Sequence, residues 1–329
     1  MPGDVRDRVT LDDAARQASS RQYATQMESD EIWLTETLYD DVRMSIKVDR
    51  VLFDSRTAHQ HLVVAESERF GRLFTLDGVT QLTMADEFVY HEMLAHVPIL
   101  AHGAARDIGI VGGGDGGLVE EVLKHPTVER VTIAELDAGV IDFARTYLAD
   151  LSHGAFDDPR VEIVLGDGAE FVARTEHRFD VIVVDSTDPI GPGAALFTPE
   201  FYEDCKRVLQ PGGVLVTQNG VPFFQPTELE STMGIFGGLF ADATCYLGVV
   251  PTYVGGFMAF GWGTDDVGLR TVPQSTLRER FDGAGLDTRY YTPELHHPSF
   301  VLPRFIGDIV ERARGQRGSG TQRGTLGRG

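Results

Sequence analysis

Cysteine is nearly missing from this chain. Cys205 and Cys245 are the two among 329 residues, and they stand far apart. They offer neither a disulfide framework nor a thiolate metal spacing, which suits a reducing cytoplasm. The plain role for each is that of a small buried apolar residue. Basic residues are scarce too: 29 Lys and Arg face 50 Asp and Glu, for a net charge of -21. A nucleic-acid binder needs a basic face, so that class is set aside. The charge fits simple solubility or a cationic substrate drawn in by the field. No apolar run approaches the ~20 residues of a membrane span. The polar N-terminus lacks the apolar stretch of a secretory signal. A cytoplasmic protein with no nucleic-acid or membrane partner is expected.

What is there divides into four stretches. Residues 1–28 are polar, of mixed charge and without period, and read as a flexible extension. Residues 29–84 carry β patterns: W-L-T-E-T-L-Y, V-R-M-S-I-K-V, H-L-V-V-A, and two short strands around the Asp77-Gly78 turn. They form a small antiparallel β domain. Residues 85–311 alternate, after a helix at 86–100 with Asp86 as its N-cap. Strands are expected at 106–111, 130–135, 161–165, 179–185 and 213–217, and helices at 116–124, 137–149, 168–174, 199–209 and 226–239. Such alternation makes a Rossmann-like α/β domain, a parallel sheet with helices on both faces. Two apolar runs, 243–250 and 256–263, are close enough to pair antiparallel at the sheet edge, and a final helix is expected at 275–283. Residues 312–329 are Gly/Arg-rich and are expected to be disordered.

In open α/β sheets ligands bind at the carboxyl ends of the strands. The first of these strands ends in I-G-I-V-G-G-G-D-G-G, whose Gly112 and Gly114 lie in a turn that also holds Asp115. Glycine there allows positive φ and close approach of a ligand. The second ends in Glu135, about 20 residues on, where a carboxylate can accept both hydroxyls of a ribose. The third ends in Gly166-Asp167-Gly168 and the fourth in Asp185, which runs into S-T-D-P-I-G-P-G. A glycine turn followed by an acid fits NAD enzymes and S-adenosylmethionine enzymes alike. Two details favour the second: the turn reads G-G-G-D-G-G, with a carboxylate inside it, and the Gly-Asp-Gly at the third strand is where such enzymes often place an acid on the adenine amine. A pyrophosphate near Asp115 and Asp185 would also be repelled, whereas a sulfonium would not. Asp167 also has a plain role as a turn former, as does Asp188 before Pro189.

Taken in order, Leu76-Asp77-Gly78, Asp86 to Glu92 (D-E-F-V-Y-H-E), Gly112 to Gly117, Glu135-Leu136-Asp137, Gly166-Asp167-Gly168, Asp185 to Pro192 and Pro251-Thr252-Tyr253 resemble the motifs of the spermidine synthases, the polyamine aminopropyltransferases. The match runs from about Trp33 to Pro303 and is nearest the bacterial type, for example in Thr57-x-His59-Gln60. The resemblance implies a seven-stranded methyltransferase-type sheet behind the small β domain. It implies decarboxylated S-adenosylmethionine as co-substrate, with no cofactor and no metal, and putrescine as the usual acceptor. The products are spermidine and methylthioadenosine. Gln60, Glu135, Asp167, Gly168 and Pro192 would line the nucleoside pocket with the glycine turn. Asp115 and His91 would meet amines, although His91 also admits a packing or capping role. Tyr90, Tyr253, Ser186, Thr187 and Asp188 would flank the diamine path, and Asp185 matches the proton acceptor. A homodimer or homotetramer through the β domain is implied as well. Met84-Ala85 departs from the Glu-Arg of many members, which puts the entrance or its loop packing in question.

Rival readings are an aminopropyltransferase for another amine (cadaverine, agmatine or spermidine), an N-methyltransferase on the same scaffold, and a non-catalytic sensor of polyamines or nucleosides. The Asp115 carboxylate and the D-S-T-D-P stretch oppose the N-methyltransferase, and the intact Asp185 and Tyr90 oppose the sensor.

Overall fold

The computed structural model describes residues 26–28, 31–36, 38–39, 41–189 and 191–320; of residues 26–28, Pro192 and 316–320 it describes the backbone alone. Residues 1–25 of the expected extension and 321–329 of the expected tail lie outside it.

The small domain is two antiparallel sheets. Strands β1 (Gln26–Glu28), β2 (Glu31–Glu36) and β3 (Met44–Val48) form one, in that order. Strands β4 (Arg50–Arg56), β5 (His61–Ser67), β6 (Gly71–Leu76) and β7 (Val79–Thr83) form the other. Leu34, Ile46 and Val48 pack across the gap on Val63, Ala65 and Leu73. The opposite face of β5 and β6 sends Leu62, Val64 and Phe74 into the main core. That two-sided burial explains the unbroken apolar run of β5. The β6–β7 hairpin turns on Asp77 (φ 45°) and Gly78 (φ 87°), the paired left-handed conformation that suits right-twisted strands. Residues 26–28 correct the expected extension: they pair with β2, since an edge ladder needs backbone groups and not an apolar period.

The large domain holds seven strands, β8 (Asp107–Gly112), β9 (Arg130–Glu135), β10 (Val161–Leu165), β11 (Phe179–Asp185), β12 (Leu209–Gln218), β13 (Asp242–Val249) and β14 (Phe257–Thr264). Their order is β10-β9-β8-β11-β12-β14-β13. The first five are parallel, and β14 runs antiparallel to both β12 and β13. The chain leaves β8 in one direction and returns to its other side as β11. The carboxyl ends of these two adjacent strands therefore flank the switch point, where ligands settle.

The helix Glu87–His102 crosses behind the switch point and is buried from Val89 through Ala101. Packing on all sides accounts for its weak amphipathic pattern. Its buried Glu92 accepts three backbone N–H bonds, from Arg289, Tyr290 and Tyr291, at 2.7–2.8 Å. Asp86 occupies the N-cap position without capping. Its carboxylate instead accepts from Thr83 Oγ1 at 2.6 Å and from Thr252 N and Oγ1 at 2.7 Å, tying the loop before Tyr253 to the helix start. Beyond the helix Gln274–Ala284 come two more, Pro293–Ser299 and Arg304–Gly320. The last runs into the stretch expected to be disordered, because Ile306, Ile309, Val310 and Ala313 form a helical stripe buried against Leu229, Met233 and neighbours.

Candidate active site

A cavity of about 760 Å³ opens at the switch point, between the two domains. Its geometry begins with a backbone contact. Gly112 and Asp185 are register partners, and Gly113 N–H donates to the Asp185 carbonyl at 3.1 Å. Gly112 sits at φ 86°, and a Cβ there would lie 2.0 Å from that same carbonyl oxygen. Glycine is required because the Asp185 backbone fills the space.

Asp185 projects from the end of β11. Its Oδ1 accepts from the Tyr90 hydroxyl at 2.8 Å, while its buried Oδ2 has no protein partner. Burial, then the nearby Asp115, raises its pKa to about 6, with His91 and Tyr90 pulling the other way. Burial and Asp185 hold the Tyr90 phenol far above its usual pKa, so it remains a donor. The Tyr90 ring meets Tyr253 at 5.9 Å and Phe260 at 5.6 Å. Tyr253 contributes its ring; its hydroxyl is committed to the Gln81 carbonyl.

Asp115 is fixed by an Asx turn, Oδ1 accepting from Gly117 N–H at 2.8 Å. His91 stands between two carboxylates: Nδ1 is 2.8 Å from Glu87 Oε2 and Nε2 is 3.6 Å from Asp115 Oδ1. Burial alone would lower the His91 pKa, but Asp115 and Glu87 outweigh it and lift it to about 10. His91, Asp115 and Asp185 bring one polar atom each within 4.8 Å of one another. That spacing would suit a metal ion by distance. A ring with both nitrogens protonated, the form Glu87 and Asp115 favour, has no lone pair to give a metal.

At the end of the cavity toward β9 and β10, Glu135 Oε1 accepts from Asp137 N–H at 2.9 Å. Burial raises the Glu135 pKa to about 7 against that hydrogen bond. A Cβ on Gly114 would fall 2.7 Å from Glu135 Oε2. Asp167 caps the helix Gly168–Arg174 through Ala169 and Glu170 N–H groups, and a Cβ on Gly168 would strike Val111 at 2.4 Å. Gln60 reaches over from the small domain, with Nε2 3.3 Å from Asp137 Oδ2, which also accepts from Thr57 Oγ1. Gln60, Gly114, Glu135, Asp167 and Gly168 line the cavity. The side chain of Pro192 lies outside the described ones.

The other end is acidic. Asp188 accepts from Gln225 Nε2 at 2.9 Å, and burial raises its pKa. Ser186 Oγ is buried without a partner, and Thr187 offers its carbonyl to Gln218. Sequence reasoning missed Glu36 and Tyr39, which line this end from the small domain, and Glu228 behind Gln225. Glu36 accepts from Thr80 N–H at 2.8 Å and is raised by burial; Tyr39 packs on Phe224, with centroids 4.8 Å apart. Burial and Asp188 raise Glu228 to about 8. For Glu36 a signal existed: it shares the inward face of β2 with Leu34, an odd place for an acid.

Comparison with known proteins agrees with this geometry. Residues 87–272 match the spermine/spermidine synthase domain, and residues 32–84 match the spermidine synthase tetramerisation domain. A polyamine aminopropyltransferase of Ruegeria sp. (strain TM1040) is 56% identical over 276 residues, covering 84% of this chain and 97% of that one. Polyamine aminopropyltransferase 1 of Pseudomonas aeruginosa is 54% identical, covering 82% and 95%. A crystal structure of a spermidine synthase with the transition-state analogue AdoDATO superposes with a TM-score of 0.80 at 36% identity, covering 90% and 99%. No helix among the described residues is long and apolar enough to cross a membrane.

Proposed function

This chain belongs to the spermine/spermidine synthase family, and from that premise we propose that it transfers an aminopropyl group from decarboxylated S-adenosylmethionine to putrescine, releasing spermidine and methylthioadenosine. The single observation that carries the reading is the buried, unpartnered Oδ2 of Asp185 beside the glycine turn. A buried acceptor left unsatisfied costs about 1–3 kcal/mol, so the oxygen is kept for something that arrives with a proton.

The chemistry follows from the atoms. The amine nitrogen forms a bond to the carbon next to the sulfonium, the C–S bond breaks, and its electron pair leaves with a neutral thioether. The departing sulfur needs no acid. The amine must be neutral, and with a pKa of ~10 only about one in a thousand is so at pH 7. Asp185, raised to about 6, lies closer to the amine than a free carboxylate does, which cuts the proton-transfer gap by about 3 kcal/mol. It orients the nitrogen and takes the proton as the new bond makes that nitrogen acidic. Asp115 fits the donor's ammonium and repels the extra carboxylate of ordinary S-adenosylmethionine. Glu135 and Gln60 serve the nucleoside. Glu36 and Asp188 supply negative charge for the second ammonium of a diamine, and Glu228 behind them, held protonated by burial, adds none.

A panel of putrescine, cadaverine, agmatine and spermidine with the decarboxylated donor, read by product mass, tests the proposal. Methyl transfer from ordinary S-adenosylmethionine, or no methylthioadenosine with any amine, would overturn it. The same reading places the protein in the cytoplasm as an oligomer through residues 32–84.

A further inference from the structure

The ring of His91 is wedged between elements that leave it no neutral partner. Gly117 lies against it, and a Cβ there would fall 2.3 Å from Cε1. The residue is 2% exposed, so neither ring nitrogen turns to bulk water. Nδ1 faces Glu87, one turn earlier on the same helix, and Nε2 faces Asp115. A neutral imidazole has one nitrogen that only accepts, and such a nitrogen set against a carboxylate is repelled; the doubly protonated ring satisfies both sides. The titratable groups around it are Glu87 and Tyr90 from its own helix, Asp115 from the glycine turn, Asp185 from β11 and, beyond Tyr90, Tyr253 from the loop before β14. The helix Gly117–Leu123 meets it with a glycine.

We propose that Glu87 is a positioning residue for the proton transfer: by holding His91 as a fixed cation beside Asp115, it keeps Asp185 in the ionised form that accepts the amine's proton. The inference rests on the reading of Asp185 as that acceptor. Asp115 and Asp185 converge with His91 within 4.8 Å. Two carboxylates that close do not both ionise cheaply without a countercharge, and the imidazolium supplies it. Without Glu87 the buried ring sheds its proton more readily, and Asp185 loses the countercharge that opposes its protonation. The proton-withdrawing influence of His91 on Asp185 opposes that of burial and Asp115. As a cation, His91 repels an ammonium, so direct contact with the donor amine falls to Asp115.

Nitrogen-15 spectra of labelled histidine, with His91 assigned by the His91→Gln variant, are the direct readout. The His91 ring is expected to stay doubly protonated at pH 8; a neutral tautomer there overturns the proposal whether or not any variant folds. In Glu87→Gln the His91 midpoint should fall by about one to three pH units. The acid limb of kcat/KM for the acceptor should move up by about one unit, with turnover recovering above it, a shift that loss of packing alone does not produce. Asp185→Asn separates the two ideas. Near-normal turnover in that variant refutes the acceptor reading and this proposal with it. If Asp185→Asn is impaired while Glu87→Gln leaves both midpoints in place, this proposal alone fails.

Discussion

An alanine at position 112 would bring its Cβ to 2.0 Å from the carbonyl oxygen of Asp185 and 2.9 Å from the carbonyl carbon. Unstrained carbon–oxygen contacts lie near 3.3 Å, so the ends of β8 and β11 would have to part by roughly 1.3 Å. Neither neighbour is a flexible side-chain tip; both are ladder backbone at the centre of the sheet. The left-handed φ of 86° adds its own penalty. Strain of about 1–2 kcal/mol, overpacking of about 1–3 and a weakened hydrogen bond of about 1 place the loss at about 3–6 kcal/mol. That is a large share of the ~5–15 kcal/mol that holds a domain folded. A displacement of about 1 Å at Asp185 should also lower kcat on the order of 10²-fold. Urea unfolding reports the first quantity, and methylthioadenosine release, at a temperature where the variant remains folded, reports the second. Gly114→Ala is the control. Its Cβ would meet the tips of Glu135 and Val140 at 2.7 and 2.8 Å, without positive φ, so donor affinity should suffer more than stability. A Gly112→Ala protein that unfolds and turns over like the parent would refute the claim that this contact sets the position of Asp185.

Three further outcomes follow from the same geometry. Asp185→Asn should cut kcat by on the order of 10²–10⁴ while methylthioadenosine still binds, checked by calorimetry; in the parent, kcat/KM for the acceptor should fall as pH drops through about 6, where Asp185 gains its proton. Asp115→Asn should erode discrimination against ordinary S-adenosylmethionine by on the order of 10²-fold, since one charge repulsion at ~4–5 Å is worth about 3–4 kcal/mol at an effective dielectric near 20; competition between the two donors, read by product mass, measures it. Glu228 binds its proton more tightly folded than unfolded, with a folded pKa of about 8 against 4.5. Stability should therefore decline as pH rises between those values, and Glu228→Gln should flatten that slope and gain on the order of 5 kcal/mol at pH 9 in denaturant melts.

The central strands were legible because burial on both faces gives continuous apolar runs bounded by turns. β4 was not, since its residues are half-buried or exposed and carry no run to read. The helix Arg304–Gly320 was obscured by its Gly/Arg-rich second half, although Ile306, Ile309, Val310 and Ala313 already stood at helical spacing. The acids at the strand ends could be collected from sequence because the parallel sheet places all such ends on one edge. Glu36, Tyr39 and Glu228 could not. They come from β2, the turn after it and the helix Pro226–Leu239, and only the docking of the domains makes them neighbours. Asp86 shows the limit of local rules: its position is that of a cap, yet a loop 166 positions away claims its carboxylate.

The division of the cavity between two domains separates chemistry from measurement. Asp185 and Glu135 end strands of one sheet, with Asp115 in the turn after β8, whereas Glu36 ends the central strand of a separate sheet and Tyr39 lies in the turn that follows it. If that end meets the acceptor's far ammonium, as proposed, the small domain's share of it can be exchanged, by grafting residues 31–39 from a relative of different preference, without disturbing β8, β9 and β11. Acceptor choice would then be open to redesign from the small domain, within limits set by Asp188 of the large one, while the strand ends stay as they are.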